Sequence, residues 1–228
     1  MASQADPEAE FQCELQAFEN DIDEVVQCFY IWRTVHAEAR KKKRVHDLLN
    51  RNAGFWNVAL GSIQANSLIA LGRIFDHSHD SHNLKRLLKL IERNPAIFSK
   101  AALRKRKEKD LANALHLVGD FMDRVKEPAA SDCKWLEDFV KQRRTVYGKC
   151  YKQIRDKHYA HKQRGDITVF VAQSDRRELA KLVTDLKNLH GAIWHWYRNG
   201  VKPQKLHLSR AAGKDVVKRT EKFLRSLP

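Results

Sequence analysis

The residues best suited to chemistry lie between Arg155 and His161, within the segment Ile154–His161 of sequence IRDKHYAH. A guanidinium neutralises a phosphate through a planar fork of N–H donors, and an imidazole exchanges protons near neutral pH. Arg155, His158 and His161 therefore combine the groups needed to cleave a phosphodiester without a metal ion. Asp156 adds a polar side chain that can orient the arginine or the terminal histidine.

Helical geometry limits how closely these side chains converge. On an ideal helix, Arg155 and His161 lie ~120° apart around the axis, with His158 between them. The three form a drifting stripe, and they converge better if the helix loosens before Gly165. The chain holds 11 histidines, so the spacing alone leaves two roles open. One is catalysis, and the other is a structural or binding-only motif.

The segments that must position these groups are predicted to be helical. Only 9 glycines and 5 prolines occur, and strand-like alternation is confined to Ile167–Val171. The sequence predicts an all-α bundle of five to seven helices over residues 1–200, followed by a basic C-terminal tail with one short helix over residues 201–228. The predicted helices are Pro7–Arg44, Val45–Phe75, Leu84–Arg93, a helix from the Asn94-Pro95 break to about Lys126, Asp132 to the motif, Ser174–Asn199 and Val216–Leu227.

The charge predicts an anionic partner. The formal net charge is +15, which favours nucleic acid first and an acidic membrane second, although a protein that is merely basic is the alternative. Two basic runs, Arg40–Arg44 and Arg104–Lys107, are each explained by a solvated face. More suggestive residues flank the motif and can follow an RNA backbone without reading its sequence. These predicted RNA-binding residues are Lys149, Lys152, Lys157, His158, Lys162 and Arg164.

Two further groups of residues have competing interpretations. The loop that follows Phe75 carries His77, His79 and His82 among aspartates, and imidazole with carboxylate suits zinc or manganese. Its spacing matches no known zinc ligand set, so helix capping is the preferred role and no metal is expected. Three aromatic residues near one another, Trp194, Trp196 and Tyr197, can stack on bases. Their helical spacing favours packing in the core instead.

Composition also predicts where the protein works. The first ten residues are polar and acidic, and no run approaches 18 apolar residues, so neither a secretory signal nor a membrane span is expected. The 4 cysteines form no CxxC pair and are expected to be reduced. We therefore expect a soluble, cytoplasmic protein with no cofactor and no membrane partner.

Arg155–His161 resembles the signature of the HEPN superfamily, which is an arginine, four to six residues and a histidine, with a polar residue directly after the arginine. Ala70–Asp76, placed before a leucine-rich helix, is most similar to the abortive-infection U-like (AbiU-like) branch of that superfamily. The resemblance covers about Phe11 to Tyr197 in the order of its elements. Arg73 and Asp76 lie in the second segment, where an ion pair is the alternative to a functional role.

The resemblance implies an up-and-down helical bundle, a homodimer that brings two motifs together, and metal-independent RNA cleavage in many members. Carried over to this chain, Arg155 stabilises charge on the phosphate oxygens, His161 moves the proton and Asp156 takes the polar position. His158 is not required by the family pattern. The function expected from it is an endoribonuclease of phage defence or a toxin–antitoxin system, leaving 2′,3′-cyclic phosphate ends. The alternative is a non-catalytic RNA-binding or protein-interaction module, with an acidic antitoxin or a nucleotidyltransferase as a possible partner.

Overall fold

Helices make up all the regular structure in a computed structural model that describes residues 6–78, 80–113, 115–156, 176–205 and 212–227. The all-α helical bundle predicted from the sequence is confirmed, with ten α-helices in these ranges in place of the expected five to seven. No described helix is both long and apolar enough to cross a membrane. The helices are α1 (Pro7–Lys41), α2 (Lys43–Arg51), α3 (Ala53–Ile74), α4 (Leu84–Arg93), α5 (Lys100–Asp110), α6 (His116–Asp123), α7 (Ala130–Cys150), α8 (Lys152–Ile154), α9 (Arg176–Asn199) and α10 (Lys214–Ser226), with 3₁₀ turns at Pro95–Phe98 and Pro203–Lys205.

The additional helices arise from three breaks inside segments that were expected to be continuous, at Asn52, at Leu111 and at Tyr151. Asn52 leaves the helical region and separates α2 from α3. Leu111 ends α5 in the same way. The second break lets α6 fold back, so that Val118 and Met122 pack against Leu103 of α5 in a small hydrophobic cluster. The predicted strand at Ile167–Val171 lies outside the described residues.

Capping residues fix several helix ends where the sequence predicts them. Asn83 caps α4, which begins at Leu84: its side chain accepts a hydrogen bond from the N–H of Arg86 at 3.0 Å. Gly200 ends α9 with a φ of 63°, a left-handed conformation that glycine adopts without strain. The N–H of Gly200 donates to the carbonyl of Trp196 at 3.0 Å, as in the αL motif that ends many helices. Local chemistry therefore sets these boundaries.

The described chain forms two compact units, and α1, α7 and α9 each contribute residues to both. The first unit comprises residues 1–19, 75–145 and 185–208. Its core is aromatic: Phe98 stacks on Trp196 with ring centroids 4.2 Å apart, and Phe11 and Tyr197 complete the cluster. Core packing is confirmed for Trp196 and Tyr197, which are buried, but not for the exposed Trp194.

The second unit comprises the described residues of 20–74, 146–184 and 209–228, which include Arg155 and Asp156. In its core, Leu224 of α10 packs with Val35, Val45 and Leu60. Gly213, at the start of α10, lies so close to the ring of Tyr30 that a side chain there would overlap it. Helix α10 is therefore packed within this unit, while the predicted domain boundary at residue 200 stays a prediction.

Candidate functional site

Arg155 lies where the helical path of α7 and α8 widens. The N–H of Tyr151 donates to the carbonyl of Tyr147, and the N–H of Arg155 donates to the carbonyl of Tyr151 at 3.0 Å, so the helical direction continues beyond α7. Tyr151 and Ile154 are buried and anchor this segment. At Arg155 and Asp156 the backbone becomes π-helical, a wider turn that occurs often at functional sites.

The side chain of Arg155 rests directly on Gly72 of α3. A methyl group built on Gly72 would lie 2.5 Å from Cδ of Arg155 and 3.2 Å from its Cζ. Carbon atoms in favourable contact are about 3.5–4.0 Å apart, so only glycine leaves room for the arginine in this position. Gly72 itself is buried within α3. The contact joins the two segments on which the resemblance rests, Ala70–Asp76 and Arg155–His161.

Asp156 holds the other side of the same guanidinium. Its Oδ1 accepts a hydrogen bond from Nε of Arg155 at 2.6 Å and lies 2.5 Å from Nη2. The pair uses one edge of the planar fork, and no described residue accepts a hydrogen bond from Nη1. The Arg155 side chain is 26% exposed, so solvent or a ligand reaches part of it. Asp156 therefore contacts Arg155 directly, and its predicted role in orienting the catalytic groups stays a prediction.

Arg73 makes a cross-helix ion pair, as the alternative role from the sequence predicts. Its Nε donates to Asp21 at 2.8 Å, and its Nη2 donates to Glu24 at 2.6 Å, both on α1. Burial on its own lowers the pKa of Arg73, but the hydrogen bonds and charges of these two carboxylates raise it overall. Arg73 thus connects α3 to α1 at the position next to Gly72, on which Arg155 rests.

The other motif residues divide between exposed positions and positions outside the described ranges. Lys149 and Lys152 are exposed on the helical approach to Arg155, where they are open to an anionic ligand. Nothing in the described ranges tests their predicted contact with RNA. The predicted proton-transfer residue and four flanking residues lie outside these ranges: His161, Lys157, His158, Lys162 and Arg164.

The remote basic run Arg104–Lys107 is only partly a solvated face. Arg106 pairs with Glu8 at 2.7 Å and donates to the carbonyls of Ile97 and Tyr197. Lys107 donates to the side chain of Asn199 at 3.1 Å. Arg104 and Lys105 are exposed. Half of the run is therefore structural, and only the other half is open to solvent.

The histidine-rich loop uses its polar side chains for local hydrogen bonds. Asp76 accepts from the N–H of His77 at 2.7 Å and from the hydroxyl of Ser81 at 3.3 Å. His82 lies 2.9 Å from the buried Glu14. Within the described ranges, which omit His79, no group of three or more His, Cys, Asp or Glu side chains is arranged to hold a metal ion. These contacts favour the capping role for the loop.

Sequence reasoning identified Arg155 but not the residue that supports it. The sequence analysis assigns no role of its own to Gly72, which lies inside the predicted helix Val45–Phe75. The available signal was its place in Ala70–Asp76, the second segment that carries the resemblance. A glycine in the interior of a helix costs about 1 kcal/mol relative to alanine, so its presence calls for a packing explanation. The contact with Arg155 supplies one.

The AbiU2 family of HEPN proteins matches residues 8–216, which include both Gly72 and Arg155. No curated protein matches the chain, and no solved structure matches it.

Proposed function

The chain belongs to the AbiU2 family of HEPN proteins, and we propose that it is a metal-independent endoribonuclease that acts in abortive infection. The observation that carries this proposal is the seating of Arg155 on Gly72, with Asp156 fixing one edge of the guanidinium. A cation that is held on two sides and is still 26% exposed suits the charge that develops on a phosphate during cleavage. A toxin–antitoxin pair, in which an acidic antitoxin or a nucleotidyltransferase covers the basic motif, is a second setting for the same activity.

The proposed reaction is an internal transesterification of RNA. His161 accepts the proton of a ribose 2′-hydroxyl, whose oxygen forms a bond to phosphorus as the bond from phosphorus to the 5′-oxygen breaks. Arg155 stabilises the charge on the non-bridging oxygens. A second acid delivers a proton to the departing 5′-oxygen. The products are a 2′,3′-cyclic phosphate and a 5′-hydroxyl.

Incubation of the purified protein with single-stranded RNA in excess EDTA tests this proposal. We expect cleavage to continue in the chelator and to leave 2′,3′-cyclic phosphate ends, detected by mass spectrometry of the fragments. DNA of the same sequence has no 2′-hydroxyl and should survive, which makes it the matched control. A strict requirement for magnesium, or cutting of the DNA, would exclude the mechanism.

One observation favours a non-catalytic RNA-binding module as the second candidate. Asp156 forms an ion pair with Arg155, which offsets part of the positive charge that a transition state needs. Such a pair is compatible with gripping a ground-state phosphate through the remaining donors. RNA that is bound but left intact in the EDTA experiment would favour this candidate.

We also propose that the active form is a homodimer. Helix α3 carries a row of exposed, uncharged side chains: the apolar Phe55 (66% exposed), Val58 (70%) and Ile69 (37%), with the exposed Ser62 and Asn66 between Val58 and Ile69. No charged side chain occurs from Ala53 to Gly72. In a chain of net charge +15, this uncharged row is where a second copy can dock with little repulsion. A partner docked along it would extend toward Arg155 and bring a second imidazole to the phosphate.

Replacing both Phe55 and Val58 by lysine is expected to convert the dimer to a monomer and to abolish cleavage, because the new charges repel across a two-fold interface. Sedimentation velocity at micromolar concentration measures the mass, and the RNA assay measures activity. Phe223→Lys, at another exposed apolar position in the same unit, is the control and should change neither. A wild-type monomer with full activity would rule out the dimer proposal.

A further inference from the structure

A groove along α4 has a chemistry that the motif does not explain. It encloses about 290 Å³ and is lined by Lys85, Lys89 and Arg93, together with Arg86 and Glu10. All of these residues belong to the first compact unit. We call this surface the α4 groove.

The charges in the α4 groove are not balanced. Arg86 is paired, because its guanidinium lies 3.0 Å from Glu10 and 2.7 Å from the buried Glu14. Lys85, Lys89 and Arg93 differ from it: across the described parts of the chain, no carboxylate lies within ion-pair distance of any of them. An unbalanced cluster of three cations attracts an anion from solution.

The spacing of the three cations indicates a long anion rather than a small one. They occupy positions i, i+4 and i+8 of one helix, so they lie on one face and are separated by ~6 Å of axial rise each. The row is therefore ~12 Å long, which exceeds a single phosphate or carboxylate and suits consecutive phosphates of a nucleic acid strand. Lysine binds phosphate as a point charge, so the contact does not read sequence.

We propose that the α4 groove binds the phosphate backbone of single-stranded RNA, in addition to the contacts made by the motif residues. The proposal rests on the proposed function, since the RNA is the same substrate. The length of the row and its open cations together make the groove a binding surface for the strand. It supplies affinity, while the motif supplies the chemistry.

The test measures binding separately from cleavage. A fluorescent 2′-O-methyl RNA strand has no nucleophile and stays intact, so its anisotropy reports binding over a series of potassium chloride concentrations. The triple variant Lys85→Gln, Lys89→Gln and Arg93→Gln removes three phosphate contacts. We expect the slope of log K against log salt to flatten by about 2, at ~0.7 for each contact with a single strand.

A matched variant on α5 controls for the loss of net charge. Arg104→Gln, Lys105→Gln and Lys109→Gln remove the same three charges from exposed positions of the same unit, and the slope should then change by less than about half as much. Equal changes in the two variants would overturn the proposal in favour of a diffuse field. An unchanged slope in the groove variant, or wild-type protein that does not bind the strand, would also overturn it.

The outcomes separate this inference from the proposed function. If wild-type protein leaves ordinary RNA intact but the groove variant loses salt dependence, the groove stands and the nuclease proposal fails. If wild-type protein cleaves RNA while the groove variant binds with an unaltered slope, only the groove proposal fails.

Discussion

Replacing His161 by alanine is expected to lower the rate of RNA cleavage by about 10² to 10⁴, because the reaction then loses its general base. Replacing Arg155 by lysine is expected to cost about 10² to 10³. Lysine keeps the positive charge but lacks the planar fork that Asp156 holds and that matches phosphate geometry. Single-turnover cleavage of a labelled strand in EDTA measures both rates.

The comparison needs variants that change the same segment without changing the proposed chemistry. Gln153 is exposed beside the motif, and Gln153→Ala should cleave at the wild-type rate. Binding of the 2′-O-methyl strand should change by less than about tenfold in His161→Ala, since a neutral imidazole contributes little to phosphate affinity. Full activity in both Arg155→Lys and His161→Ala would contradict the proposed roles and favour the binding module.

The parts of the fold that local chemistry determines could be predicted from the sequence. Asn83 caps α4 and Gly200 ends α9 where their side-chain and backbone preferences place them. The breaks at Asn52 and Leu111 could not be predicted in this way. At Leu111 the advantage comes from tertiary packing, since α6 folds back onto Leu103. A periodic apolar pattern does not show whether the chain is more stable when it reverses and packs a second helix on the first or when one helix simply continues.

The same distinction between local and long-range contacts applies to the candidate site. Arg155 and Asp156 are recognised from adjacent residues, and the hydrogen bond between them is local. The contact of Arg155 with Gly72 depends on α3 and the motif segment meeting in space, and a glycine in a helical pattern has several possible explanations. The same holds for Arg106, whose place in a basic run indicates solvent exposure, although it pairs with Glu8. Long-range contacts thus decide which cations are structural and which are open.

Replacing Gly72 by alanine is expected to lower the cleavage rate by about 10² or more while the protein stays folded. The added methyl would lie 2.5 Å from Cδ of Arg155, so the arginine must move by about 1 Å to reach an ordinary contact distance. A displacement of that size in a positioning group can cost about 10² in rate. The obstruction is a flexible side chain, so the backbone of α3 need not shift. Alanine also favours the helix by about 1 kcal/mol, which offsets the cost of moving the arginine.

Gly61→Ala is the matched control, because Gly61 lies on the same helix with nothing within 4 Å of the added methyl. Gly61→Ala should raise the free energy of unfolding by a similar amount, because alanine favours the helix in the same way, and urea unfolding measures this. The variant should cleave at the wild-type rate.

If the Gly72 site cannot accept even one methyl group and the Gly72→Ala variant unfolds, a second variant tests the same idea. Asp156→Ala releases the guanidinium from its other side and should also lose about 10² in rate. Gly72→Ala with wild-type stability and full activity would show that the position of Arg155 on α3 is irrelevant to cleavage. Loss of activity in Gly72→Ala alone, with Gly61→Ala unaffected, would instead assign the glycine to the positioning of the catalytic arginine.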